Sequence, residues 1–228
     1  MPILIAIGLI VVLTLVFGPS VRVKYVLKKH GIERSDLPGT GGEFARHLLD
    51  EAKLADVKIE VTGQGDHYDP GARAVRLLRQ HHDGRSVAAV AIAAHEVAHA
   101  IQHAWGEPAF KRRIELVGSL VWVERLAIIV LIATPAIFAA VRVPAVAVLE
   151  IAAAIALMGV GAIVHAMTHP VEFDASFGTA LPVLEGRRYL SEKDLPAARH
   201  VLKAAAMTYV AAALATLLNI ARWFRFLI

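Results

Sequence analysis

Residues 86–105 read SVAAVAIAAHEVAHAIQHAW, and the reading of this stretch decides what kind of molecule the chain builds. Ser86 is a favourable N-cap, and the alanines and branched residues after it predict one long helix up to Trp105. Into that apolar run the sequence sets His95, Glu96 and His99. Positions i and i+4 lie one above the other on a helical face, so both imidazoles can reach one ion while Glu96 stands beside them. Ionisable groups in an apolar setting are costly unless something satisfies them. A helix with a polar stripe would show the same five residues by chance, so the rest of the chain has to decide.

The chain has 228 residues, 57% of them hydrophobic and 19% charged. Soluble domains carry roughly 25% charged residues, and here the apolar excess is gathered into blocks, which predicts membrane spans. Four blocks qualify: Pro2–Phe17, Leu126–Val141, Val143 to Thr168, and Ala204–Ile220. The first lacks a basic leader and a small-residue cleavage site, so it is expected to stay as an anchor. There is no cysteine, so a metal here must be held by His and carboxylates. The net charge of +4 does not point to nucleic acid, because the basic residues are spread along the chain and mostly border apolar blocks. Fifteen Lys and Arg lie between Pro19 and Leu116, and five between His169 and Lys203. The positive-inside rule then puts both segments on the cytoplasmic side and the two termini outside. Spans two and three would form a hairpin that returns His169 and its successors to the side holding the His95 helix.

The polar segment from Pro19 to Leu116 is expected to be one α+β unit. GTGGEFARHLLDEAKL (39–54) predicts a helix with Phe44, Leu48 and Leu49 inward. DVKIEVTG (56–63) and ARAVRLL (72–78) predict strands, and DHYDPG (66–71) a turn. His67 and Tyr68 in that turn are candidates for stabilising a tetrahedral transition state; an Asx-type turn capping a strand explains the same residues. The strand Ala74–Leu78 is a candidate edge for pairing with an extended peptide. Glu124, Arg125, Glu150 and His165, in or near the spans, are expected to pair within the bundle or to snorkel.

Two histidines and a following glutamate on a helix are the arrangement of zinc hydrolases, in which the histidines hold the metal and the glutamate takes a proton from the attacking water. A catalytic zinc needs a third protein ligand and one open position. His103 continues the face, but two turns of helix are about 12 Å, too far to share an ion with His95. The segment THPVEFDAS (168–176) offers His169, Glu172 and Asp174. Glu172 is preferred, because Pro170 can open a helix that projects it toward a neighbour. Acids placed for the dipole of a helix N-terminus are the competing explanation.

These residues, with TGGEFARHLLDEAKLADVKIE, DHYDP, GRSVAAVAIAAHE, PVEFDAS and VLKAAAMTYVAAALATLLN, resemble the neutral zinc metallopeptidase family of bacterial membrane proteins, the YugP type, related in site design to gluzincins. The resemblance implies one Zn2+ held by His95, His99 and Glu172, with Glu96 as catalytic base. The chain departs from the family pattern at Ala98, where Gly is usual, and at His169, where Leu is usual. Ser176 stands where other membrane gluzincins carry an Asp, and Asp174 is expected as partner to a ligand histidine.

The expected fold is a mainly α membrane protein of about four transmembrane helices, with a small α+β zincin-like catalytic domain inserted between spans one and two. Its divisions would be an anchor (1–18), the zincin-like domain (19–116), a transmembrane hairpin (117–168), a segment with the third ligand (169–203) and a last transmembrane helix with its tail (204–228). The expected function is a membrane-anchored zinc endopeptidase of a prokaryotic plasma membrane, its site facing the cytoplasm, acting on polypeptides that include membrane proteins, and binding no nucleic acid. Alternatives are an intramembrane, site-2-like zinc protease and a non-catalytic metal-binding scaffold. Only eight apolar residues, Val87–Ala94, precede His95, which disfavours a site inside a span.

Overall fold

The computed structural model describes residues 2–186 and 189–208. Its elements are, in order, α1 (Pro2–His30), α2 (Gly41–Glu51), β1 (Lys58–Thr62), β2 (His67–Asp69), β3 (Ala74–Leu78), α3 (Arg79–His82), α4 (Val87–Ala104), α5 (Pro108–Val141) and α6 (Pro144–Phe173). A π-helical segment (Asp174–Ala180), α7 (Leu181–Gly186), a 3-10 turn (Glu192–Asp194) and α8 (Leu195–Ala206) follow. The chain is thus mostly helical with a small three-stranded sheet, and it divides into two units. Among the described residues, one comprises those up to Gly18 and Arg112–Thr168; the other comprises Pro19–Lys111 and His169–Thr208.

In the first unit, α5 and α6 are joined by Arg142 and Val143 alone, with Arg142 in the left-handed region at φ 54°. Ser119 and Thr134 turn their hydroxyls back on the carbonyls of Glu115 and Val130, at 2.9 and 3.0 Å, which satisfies them within an apolar helix. Among the described residues, one helix, α5, is long and apolar enough to cross a membrane. The fourth expected span lies, from residue 209 on, outside the described residues, as do the side chains of Glu124 and His165.

The second unit is built around α4. Ser86 caps it as its sequence predicts, its hydroxyl accepting from the Ala89 N–H at 3.1 Å. α2 begins in a reciprocal capping box: Thr40 Oγ1 accepts from the Glu43 N–H, and Glu43 Oε2 accepts from the Thr40 N–H. The start of α2 lies backbone to backbone against α3 and α4. A Cβ on Gly41 would stand 2.1 Å from the His81 carbonyl and 2.9 Å from that of Ala89, which is why Gly precedes the helix's apolar face. α2, α8 and the π segment pack on α4, and the sheet closes another side. Every α4 residue from Val87 to Ala100 is buried, and so is Gln102.

Three expectations need correcting here. His67–Asp69 is a short strand, not part of a turn: Tyr68 points into the core between two half-buried neighbours, a three-residue alternation hidden among turn-forming residues. The turn comes only after it, where Asp69 Oδ1 accepts from the Gly71 and Ala72 N–H groups. The strand Ala74–Leu78 is not an edge, since the order is β1-β3-β2, with β1 parallel and β2 antiparallel to β3; its ladder bonds are already used by neighbours on both sides. Finally, Pro170 lies inside α6 rather than opening a helix. The helix is already established before Pro170, which forgoes one N–H bond within it, and Glu172 is carried by the helix's last turn.

Candidate metal site

Asp66 and His81 fix the entrance to α4. His81 is buried, and its Nδ1 lies 2.8 Å from Asp66 Oδ2, while Asp66 Oδ1 accepts from the Leu78 N–H, also at 2.8 Å. Asp69 joins its turn to Arg76, which also binds Glu60 across the β1–β3 pair. Asp66 therefore ties β3 to α3, while Asp69 ties the turn after β2 to β3.

Further along α4, His95 and His99 present their rings to one another with centroids 4.7 Å apart. Glu172 arrives from the last turn of α6, 1% exposed, with Oε2 3.2 Å from His95 Nε2 and 3.3 Å from His99 Nε2. One ligand atom from each of these three buried residues lies within 4.8 Å of the others, and among the described residues this is the one such group. Glu96 follows His95 on the same helix and is buried, 6% exposed.

The other ring nitrogens are held as well. His95 Nδ1 lies 3.0 Å from Ser176 Oγ, whose hydroxyl donates to the Leu202 carbonyl on α8 at 3.1 Å. His99 Nδ1 lies 2.9 Å from Gln102 Oε1. Asp174 makes no direct contact of this kind; its Oδ2 accepts from Gln102 Nε2 at 2.8 Å. The histidines that sequence left open go elsewhere. His103 Nδ1 meets the Tyr68 hydroxyl at 2.9 Å, His169 lies against the Phe173 ring, and His67 donates from Nδ1 to the Gly65 carbonyl.

A family model described as "Putative neutral zinc metallopeptidase" matches residues 5–228. The chain belongs to this family. It is 34% identical over 223 residues to "Putative membrane protease YugP" of Bacillus subtilis (strain 168), a match covering 94% of this chain and 92% of that protein. No solved structure matches the chain at a significant level.

The donor set fits the metal that the family name carries. Two imidazole nitrogens and a carboxylate oxygen are zinc donors, and bonds of about 2.0–2.1 Å at tetrahedral angles set donors roughly 3.3 Å apart. The Glu172 carboxylate oxygen stands 3.2 and 3.3 Å from the two nitrogens. All three residues are buried, so the attraction between a cation and this set is little screened by solvent.

Four residues around the group receive no role from sequence, although Ser176 is noted there for its position. Gln102 and Ser176 touch the ligand histidines, and the Phe110 ring lies beside those of His99, His103 and Tyr68. Glu107 is the fourth: burial first, and the charge of Asp174 second, raise its carboxyl above the ordinary range. Burial above all raises the Tyr68 phenol and lowers the His103 imidazole from their ordinary values.

Proposed function

We propose that the protein is a membrane-anchored, zinc-dependent endopeptidase. The observation that carries this reading is the convergence of three buried donor atoms, from His95, His99 and Glu172, within 4.8 Å, with Glu96 next to the first of them. In this reading His95, His99 and Glu172 hold the ion. Zinc held there would supply Lewis acidity, the means by which such sites make water a nucleophile at neutral pH. Glu96 accepts the proton that the attacking water gives up and delivers it to the departing amine, a general acid–base role worth about 10²–10⁴ in rate. Tyr68 and His103, a hydroxyl–imidazole pair beside Phe110, are the groups we assign to steadying the substrate oxygen; His67 is the less favoured candidate because its Nδ1–H is engaged by Gly65.

The membrane part of the proposal keeps four spans, with divisions at 1–18, 19–116, 117–168, 169–203 and 204–228. α5 supports one of these spans by length and composition, and the relative named as a membrane protease supports attachment to a membrane. The site faces the cytoplasm by the distribution of Lys and Arg. Its substrates are polypeptides, membrane proteins among them. Wrapping of α4 by α2, α8 and the sheet supports this reading over an intramembrane one, since a helix enclosed by other helices and strands is not a lipid-facing span.

The test is Glu96→Gln in the full chain. It spares every donor to the ion and removes the base, so zinc content should stay at the wild-type level while peptide hydrolysis falls at least a hundredfold. Retained hydrolysis would remove Glu96 from the mechanism, and a wild-type protein that binds zinc without cleaving peptides would favour the metal-binding scaffold. Cysteine labelling, which meets no background thiol, should place Gln64 and Ser191 on one side of the membrane and Pro144 on the other; Gln64 and Ser191 on opposite sides would break the four-span topology.

A further inference from the structure

Gln102 stands one turn after His99 on α4, 1% exposed, with both ends of its amide engaged. Nε2 faces only acceptors: Asp174 Oδ2 at 2.8 Å and the Val171 carbonyl at 3.3 Å. The amide therefore has a single sensible orientation, because turning it over would set Oε1 against a carboxylate and a carbonyl. Oε1 is then fixed toward His99 Nδ1, 2.9 Å away. An amide oxygen can only accept, so Nδ1 carries a proton, and Nε2 is the nitrogen left to face an ion. That is the nitrogen which, with His95 Nε2, stands beside Glu172 Oε2.

We infer that Gln102 is a positioning residue that holds His99 in the Nδ1–H form with Nε2 turned to the metal, and that Asp174 works one residue removed by fixing the direction of the Gln102 amide. The inference rests on the zinc reading above. A side chain that only filled space would need no such arrangement: a Leu or Met would occupy the same volume without three polar contacts that each have to be met. Gly178 supplies a second, independent observation. A Cβ there would lie 2.3 Å from Asp174 Oδ1, so the carboxylate leans over bare backbone, in the place that lets it reach Gln102. The relay thus runs from Gly178 through Asp174 and Gln102 to His99, drawing on the π segment, the end of α6 and α4. π-helical turns are frequent at functional sites because they re-aim side chains within a helix. Here the segment begins with the residue that orients the amide.

The experiment uses the full-length protein in detergent, with two readouts apart from activity. Zinc affinity is measured by competition with a chromophoric chelator. The proton position on His99 is read by long-range nitrogen–proton correlation in histidine-labelled, metal-free protein, its signal identified by loss in His99→Gln. Wild type should carry the His99 proton on Nδ1. Gln102→Met should lose that preference and weaken zinc binding about 10- to 100-fold, the usual range for a residue that orients a ligand. Gln102→Glu should bind more tightly than Gln102→Met, since a carboxylic acid protonated between Asp174 and His99 keeps an acceptor toward Nδ1. Gly178→Ala, which alters no donor, should also weaken zinc by displacing Asp174.

A His99 Nδ1 that carries no proton in the wild type, or zinc affinity within twofold of wild type in Gln102→Met, would overturn the inference. Should Gln102→Met fail to fold, the wild-type spectrum and Gly178→Ala decide in the same way. A wild type that binds no zinc would instead sink the metal reading itself, so the two failures are told apart by the first measurement.

Discussion

Helices α4 and α5 are both built largely from Ala, Val, Ile and Leu, yet α4 buries nearly all of its length while α5 presents Leu126, Ile128, Ile129 and Ile132 at its surface. Apolar content therefore says that a helix has to be covered, not by what. The residue sizes make the difference. α4 carries Ala at 88, 89, 91, 93, 94, 98 and 100, so α2, α8 and the π segment can pack closely on it. α5 carries larger side chains outward, the character of a helix that meets lipid. Where protein closes in on all sides, a His or Glu loses its water and must be matched atom for atom; α4 has that chemistry and α5 does not.

The same substitution in both helices breaks this contrast if it is mistaken. Ala91, fully buried, should not accommodate Leu: Ala91→Leu should cost about 1–3 kcal/mol of stability by overpacking. Ala136→Leu on α5, at an exposed position, should change the melting temperature little. Equal effects at the two sites would mean that α4 is not enclosed as described.

Polar matching around α4 gives the next largest effect. Ser176→Ala removes the oxygen beside His95 Nδ1 and the donor to the Leu202 carbonyl. Zinc affinity should drop about tenfold, the low end for a residue that orients a ligand; unchanged affinity in a chelator competition would mean that His95 is oriented by its packing alone. Thr40→Ala undoes the capping box of α2, the helix that seals one side of α4. It should lower stability by about 1 kcal/mol, read from urea unfolding, with zinc affinity intact.

The smallest effect concerns pH. The hydrogen bond from the Arg34 guanidinium holds the Asp194 carboxyl below the ordinary range; partial burial opposes this, and the Ser191 hydroxyl adds to it. Arg34 does the same to the exposed Asp36, whose pKa falls from 3.8 to about 2. A carboxyl depressed in the folded state stabilises above its unfolded pKa and loses that contribution as pH falls through the folded one. The melting temperature should therefore fall below pH 4, and less steeply in Asp194→Asn. Parallel slopes in the two proteins would show that this contact, at the start of α8, contributes nothing to the frame around α4.

Much of α4 could be read from sequence because its signals are local. Ser86 sits one residue before the helix, and His95 and His99 share a face by spacing alone. What could not be read depends on contacts far apart in the chain. Gln102 meets Asp174 across 72 residues, and Ser176 meets His95 across 81; nothing in the neighbourhood of either predicts the meeting. The sheet shows the same limit. β1 and β3 read as strands from their alternation, but β3 lies in the centre because β2, three residues long and written in turn-forming letters, takes its outer edge. Pro170 misled for a related reason: a proline opens short helices readily, while α6 was already established when it reached that residue.

The central claim is that His95, His99 and Glu172 form one metal centre around the buried face of α4. It is tested most directly by zinc analysis of the purified full chain together with X-ray absorption at the zinc edge, in wild type and in Glu172→Ala. The account predicts one zinc per chain in the wild type, with two imidazoles and light oxygen donors and no sulfur, and zinc lost or greatly weakened in the variant. A Glu172→Ala protein that keeps its zinc at wild-type occupancy, with the same spectrum, would contradict it.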